Sequence, residues 1–337
     1  MKKLSKFAAG CLSAAMFLSL SACSGGQAAP PSGGGDAPSQ APSEDASYTV
    51  GICQLAPHPA LDAATEGFKA ALTDAFGDRV TIDEKNAAGD SPTCATIVNG
   101  FVSADVDLIL ANATSALQAA ASATGDIPVL GTAVTEYGVA LGIDNFGGTV
   151  GTNVSGTSDL APLDQQAAMI QEWCPEAKTV GLIYCSAEAN SQYQVDTVQA
   201  SLQALGYTCT QYPFTDTNDM ASIVQNAADN NDVIYVPTDN TVATNAGIVD
   251  NICRGKVPVF AGEEGICAGC GVATLSISYY DLGYTTGQMA VKILTGEANV
   301  AEMPIEYAPQ FTKKYNEATC TALGLTPPDG YEAIVVE

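Results

Sequence analysis

Histidine is almost missing from this sequence: His58 is the only one in 337 residues. A single imidazole leaves little general-base chemistry near neutral pH. Neither the nucleophile elbow G-x-S-x-G nor the phosphate-cradling G-x-x-x-x-G-K occurs. Basic residues are scarce as well, with 12 Lys and Arg against 37 Asp and Glu and a net charge of −25. That balance excludes nucleic acid as a partner, because binding phosphates needs the opposite sign. Surplus acidity keeps a protein soluble or, where it is concentrated, builds an acidic recognition patch. The apolar run from Phe7 to Leu20 falls short of the roughly 18 residues needed to span a bilayer.

What that run does suit is export. Met1, Lys2, Lys3 and Lys6 form a short basic head before it, the layout of a secretory signal. It ends in Leu20-Ser21-Ala22-Cys23, which resembles the lipobox of bacterial lipoproteins. The resemblance implies a signal peptide over 1–22, cleaved before a diacylated Cys23, and a protein lipid-anchored on the extracytoplasmic face of the cell membrane. Two acyl chains, rather than one, give a stable anchor. From Ser24 to Ser47 the chain is rich in Gly, Ala, Pro and Ser and poor in large apolar residues. Residues 23–47 therefore read as a disordered tether that lets a folded body reorient beside the membrane.

Beyond Cys23 there are nine cysteines, Cys53, Cys94, Cys174, Cys185, Cys209, Cys253, Cys267, Cys270 and Cys320. Nine cannot all pair, and they are scattered through a body large enough to fold without staples. Cys267-Ala268-Gly269-Cys270 has the spacing of a redox pair or half a zinc site. No second ligand pair accompanies it, so the expectation is a loop disulfide or buried thiols, with no metal and no cofactor.

Residues 48–337 exceed one average domain and suit two. Short apolar strands alternate with amphipathic helices, the pattern of parallel sheets covered on both faces. Strands are expected at 49–53, 80–84, 107–111, 127–131, 179–185, 208–214, 232–236 and 257–261. Leu61, Ala64, Phe68, Ala71, Leu72 and Ala75 recur at helical spacing in the first helix and read as core. The second half echoes the first: Thr49-Val50-Gly51 matches Thr179-Val180-Gly181, and Ile127-Pro128-Val129 matches Val257-Pro258-Val259, both 130 residues apart. Asp107-Leu108-Ile109 and Asp232-Val233-Ile234 match between them. The expected fold is α/β, with two doubly wound parallel-sheet lobes. Ligands bind such sheets beyond the carboxyl ends of the strands, and two facing lobes make a cleft there.

Polar residues collect at those ends: Asn112 to Ser115, Thr132 to Tyr137 and Pro237 to Asn240. Singly, each serves as a helix cap. Together they offer N–H and O–H donors for a carboxylate, and Asp239 offers a partner for an ammonium. His58 follows the first strand between two prolines; it reads either as a cap or as a ligand contact, and Gln54 likewise. Tyr137, Phe146, Tyr184 and Tyr193 read as packing residues or as walls for an aromatic ligand.

Several motifs in order resemble the solute-binding lipoproteins of ABC transporters related to tryptophan- and tyrosine-binding proteins. They are Gly51-Ile52-Cys53-Gln54-Leu55 with His58-Pro59-Ala60-Leu61-Asp62, Leu110-Ala111-Asn112-Ala113-Thr114, Thr132-Ala133-Val134-Thr135 and Ser155-Gly156-Thr157-Ser158-Asp159. Tyr235-Val236-Pro237-Thr238-Asp239-Asn240-Thr241, Ala273-Thr274-Leu275 and Tyr279-Tyr280-Asp281-Leu282-Gly283-Tyr284 follow. The resemblance implies the periplasmic binding protein-like I fold, with three hinge crossovers near 152–158, 274–279 and 304–312. It implies an N-terminal lobe of 48–155 plus 276–305 and a C-terminal lobe of 156–275 plus 306–337.

It also implies capture of a small molecule in the interlobe cleft, an amino acid and an aromatic one; Glu136-Tyr137 and Ser115, where the chain departs from the pattern of many relatives, lie in that cleft and bear on which one. Thr114, Ser115 and Thr135 would hold the carboxylate and Asp239 the ammonium, with Gln54, His58, Tyr137 and Asn240 alongside. The implied partners are an ABC permease and its separate ATPase. Two other readings stay open: a sensor domain serving a receptor, and a thiol-redox enzyme using Cys267 and Cys270.

Overall fold

The computed structural model describes residues 46–335; the expected signal peptide, Cys23 and nearly all of the tether lie outside the described residues. The first five strands are β1 (Tyr48–Gln54), β2 (Val80–Asn86), β3 (Leu108–Asn112), β4 (Val129–Val134) and β5 (Val154–Ser158). Next come β6 (Thr179–Cys185), β7 (Thr208–Phe214), β8 (Val233–Val236), β9 (Val259–Ala261) and β10 (Ala273–Ser276). The last are β11 (Glu306–Tyr307), β12 (Thr312–Tyr315) and β13 (Glu332–Ala333).

They form two sheets, ordered β2-β1-β3-β4-β5-β11 and β7-β6-β8-β9-β10-β12-β13. All pairings are parallel except the antiparallel β10–β12. The order reverses between β1 and β3, and again between β6 and β8, which defines a topological switch point in each lobe. The central strands are apolar on both faces because helices cover both faces: every residue of β3 and β4 is buried. The edge strand β2 carries Asp83, Glu84 and Lys85, charges that discourage pairing with another sheet.

The eight expected strands are all present, shifted by one to three residues at some ends. Five others, β5 and β10 to β13, were not expected as strands. β5 reads Val-Ser-Gly-Thr-Ser and is wholly buried, so it lacks the apolar run by which a buried strand is recognised. The chain passes between sheets after β5, after β10 and after β11. The boundary expected at 155/156 thus falls inside β5, and that at 305/306 falls before β11, which pairs with β5.

The helix Pro59–Phe76 buries Leu61, Ala64, Phe68, Ala71 and Leu72 as its spacing implies, but Phe76 is buried in place of the exposed Ala75. It packs on the helix Tyr279–Leu294, which follows the second crossing. The contact is close because Gly67 and Gly283 carry no Cβ: one added at Gly67 would strike the Tyr280 carbonyl, and one at Gly283 the Ala64 carbonyl.

Candidate functional site

The loop that carries His58 is held by a buried polar network at the ends of β1 and β3. Gln54 Nε2 donates to Asp62 at 2.6 Å and to the Ala56 carbonyl at 2.8 Å, while Thr65 donates to Gln54 Oε1 at 2.6 Å. Asn112 Nδ2 donates to the Leu61 carbonyl at 2.8 Å and to Thr65 Oγ1 at 2.9 Å. Gln54 is therefore spent on anchoring the first helix to the sheet and does not line the cleft.

Beyond the strand ends the lobes meet. His58 Nε2 of the first lobe lies 3.1 Å from Asn240 Oδ1 of the second. Asn240 Nδ2 in turn donates to Glu188 Oε2 at 2.7 Å, which turns the amide so that its oxygen faces the imidazole. His58 then carries its proton on Nε2, leaving Nδ1 a bare acceptor, buried and without a partner. Burial also lowers the pKa of His58, against the opposing effects of Asn240, Asp62 and Glu188, and this favours the neutral ring.

Two chambers flank this bridge. The inner one, on the hinge side, is lined by His58, Thr135, Asp159, Asn190, Thr238, Asp239, Asn240, Glu263 and Tyr279, among others. Its volume is about 10 Å³, room for about one water-sized group. The outer one, about 330 Å³, is lined by Ser91, Ser115, Glu188, Thr215, Asp216, Thr217, Asn240 and Thr241, with small apolar neighbours. No Lys or Arg lines either chamber.

The electrostatics are correspondingly one-sided. Burial, reinforced by Glu188, pushes Asp239 up to about 7, and burial pushes Glu263 up to about 7. Burial raises Asp159 as well, opposed by the Tyr279 and Thr135 hydroxyls. Asp239 Oδ2 accepts from the Cys185 N–H at 2.7 Å and its Oδ1 from the Val242 N–H at 2.8 Å. Glu263 caps its helix through the N–H groups of Gly265 and Ile266. Glu188 accepts from the N–H groups of Asn240 and Thr241 and from the Thr241 hydroxyl.

Of the residues expected at the site, His58, Thr135, Asp239 and Asn240 line the inner chamber, whereas Ser115 and Asn240 line the outer. Thr114 is buried in the first turn of the helix Thr114–Ala123 and lines neither chamber. Tyr137 lies beneath the sheet, with its hydroxyl donating to the Thr157 carbonyl at 3.0 Å, and it too stays out of both chambers. Asp159, Glu188, Glu263 and Tyr279 are chamber residues that the sequence reading did not single out. Asp159 was visible only as the last residue of the Ser155–Asp159 motif.

The backbone at the site is distorted. Ala113, just before the helix Thr114–Ala123, has φ 89° and ψ 161°, a region occupied almost only by glycine and costing on the order of 1–3 kcal/mol. Ala133 has φ 51° where β4 shifts register against β5. Strain of this kind at two adjacent strand ends is a mark of a ligand clamp.

All nine cysteines among the described residues are free thiols. Cys267 and Cys270 are buried, with pKa values held well above the ordinary 9.0 mainly by that burial. This is the opposite of the exposed, acidified thiol that redox chemistry uses.

Residues 49–334 match the family described as ABC transporter substrate binding protein. A tyrosine-binding protein of Clostridioides difficile (strain R20291) is 36% identical over 283 residues, 82% of this chain and 81% of the relative. Among solved structures, a domain from Streptococcus pneumonia in complex with L-Trp is 32% identical and covers 86% of this chain and 100% of its own, with a TM-score of 0.81. The ligand-free, open structure of a substrate binding protein with adhesive properties from Clostridium difficile is 38% identical at the same coverage, yet its TM-score is 0.67. The whole-chain structural match is thus better to the L-Trp complex than to the open relative, although the latter is nearer in sequence; in this chain His58 and Asn240 meet across the cleft.

Proposed function

The chain belongs to the family of ABC transporter substrate-binding proteins, and on that premise we propose that it captures an amino acid, aromatic by analogy with its relatives, between its two lobes. The observation that carries this reading is the polarity of the cleft. The buried carboxyls Asp159, Asp239 and Glu263 line the inner chamber, whereas the outer chamber sets the hydroxyls of Ser91, Ser115, Thr215, Thr217 and Thr241 beside Glu188 and Asp216. An amino acid fits that arrangement with its ammonium inward among the acids and its carboxylate towards the outer hydroxyls, such as that of Ser115.

Closure over the ligand favours the form that a permease recognises, and delivery is driven by a separate ATPase. A diacylated Cys23 keeps the body beside that permease on the extracytoplasmic face. The protein acts by binding alone. A sensor serving a receptor would use the same cleft, and neighbouring genes for a permease and an ATPase separate the two roles.

The test is thermal unfolding of protein stripped of ligand, in the presence of each of the twenty amino acids. A ligand at about 100 times its Kd adds about 2.7 kcal/mol, so the true one raises Tm by several degrees. If no amino acid moves Tm, the proposed cargo is wrong.

A further inference from the structure

The buried acids of the cleft are not equivalent. Asp239, Glu263 and Glu188 each have both carboxyl oxygens engaged by backbone N–H or side-chain donors. Asp159 differs. It is 4% exposed, its Oδ2 accepts from the Tyr279 hydroxyl at 3.0 Å, and its Oδ1 has no partner. The Thr135 hydroxyl lies close enough to favour the charged carboxylate, yet Oδ1 remains without a hydrogen-bond partner. Buried oxygens without donors are rare and costly. The same inner chamber holds a second orphan, His58 Nδ1, left an acceptor by the relay from Glu188 through Asn240. Two unpartnered acceptors therefore line a space of about 10 Å³, close to the size of one –NH₃⁺ group.

We infer that Asp159 and His58 together seat the primary ammonium of the ligand, and that Asp239 is a helix cap whose negative charge acts on that ammonium only at longer range. The inference rests on the reading that the ligand carries an amine. An ammonium supplies three donors to acceptors that have none. Its seat also lies at the hinge: Asp159 follows β5 at the first crossing, and Tyr279, which holds its other oxygen, follows β10 at the second. The seat thus sits where the Tyr279–Asp159 hydrogen bond already joins the two crossings.

The test uses three probes: L-tyrosine, tyramine, which lacks the carboxylate, and 3-(4-hydroxyphenyl)propionate, which lacks the amine. Asp159→Asn should weaken L-tyrosine and tyramine about 100-fold, the value of a charge-assisted hydrogen bond, and leave the amine-free probe nearly unchanged. Asp239→Asn, with its fold checked by circular dichroism, should weaken the two amines by less than tenfold, as loss of a long-range charge does, and leave the amine-free probe unweakened. Equal losses for all three probes in Asp159→Asn, or a loss of amine binding in Asp239→Asn as large as that in Asp159→Asn, would overturn the assignment.

A measurement on the wild type stands in if Asp159→Asn does not fold. Around the seat the titratable groups are Asp159, His58, Asp239, Glu263 and Tyr279, with Glu188 behind Asn240. Burial raises Asp159 together with Asp239 and Glu263, so as the pH drops from 7 to 5 the chamber loses negative charge: tyramine affinity should fall, the fall should persist in Asp239→Asn and Glu263→Gln, which keep Asp159, and the amine-free probe should not follow it. The opposite order refutes the seat. Tyramine binding without L-tyrosine binding would support the seat and reject the amino-acid cargo; binding of neither amine rejects both.

Discussion

Raising the pH of the ligand-free protein from 6.5 to 8.5 should open its cleft. In the closed arrangement Asp239 and Glu263 hold their protons up to about pH 7, against ordinary values of 3.8 and 4.5. Opening the lobes hydrates both carboxyls and returns them towards those values, so at pH 6.5 the closed form binds more protons than the open one. Its stability therefore falls as pH rises through 7. Integrated over this interval, the linkage amounts to about 0.8 kcal/mol for each group and about 1.6 kcal/mol for the pair, roughly a 15-fold shift in the open-to-closed ratio.

Asp159, also raised, adds in the same direction. His58 opposes it: its pKa is lowered in the closed form, so the open form loses its imidazole proton as the pH rises from 6.5, which offsets at most about 0.4 kcal/mol of that roughly 1.6 kcal/mol. Small-angle X-ray scattering, or energy transfer between dyes on the two lobes, reads the change. Glu263→Gln should remove about half of it. A cleft equally closed at both pH values, or more closed at 8.5, would refute the reasoning.

Two further expectations concern packing. Tyr137→Phe removes the hydroxyl that donates to the Thr157 carbonyl and should lower stability in urea by about 1 kcal/mol while leaving ligand affinity within about twofold; a large affinity loss at unchanged stability would put the ring in the cleft. In Gly283→Ala the new Cβ strikes the Ala64 carbonyl, so overpacking of about 1–3 kcal/mol should exceed the gain of up to about 1 kcal/mol from helix propensity, and a raised urea midpoint would contradict the helix contact.

Much of the fold is legible because its signals are local. β1, β3, β6 and β8 announce themselves as apolar runs, and the 130-residue echo between Thr49 and Thr179 reveals the second lobe without any contact being known. β5 is not legible, since a strand of small polar residues looks like a linker until distant groups satisfy its hydroxyls: Ser155 donates to the Met303 carbonyl at 3.0 Å, Ser158 to the Thr135 carbonyl at 2.7 Å, and Thr157 Oγ1 lies 2.8 Å from Thr286 Oγ1. Among the site residues, His58 and Asn240 stand where strand ends place them. Gln54 and Tyr137 carry the same residue types as ligand contacts do, and only the direction of each side chain, set by Thr65 and Thr157, assigns them to the interior.

The sequence by itself determined a two-lobed α/β body behind an expected export signal, with an acidic overall charge and almost no acid–base chemistry, and the resemblance of its motifs supplied the binding role. Periodicity, repeats and composition suffice for the body, because each is written within a few residues. The tertiary structure alone decided which acid is free. Asp159, Glu188, Asp239 and Glu263 are equivalent as residue types, and what separates them is where donors arrive: the Cys185 N–H reaches Asp239 from 54 residues away, and the Tyr279 hydroxyl reaches Asp159 from 120 away. Those donors satisfy every oxygen but one, and that remaining oxygen is left for a ligand.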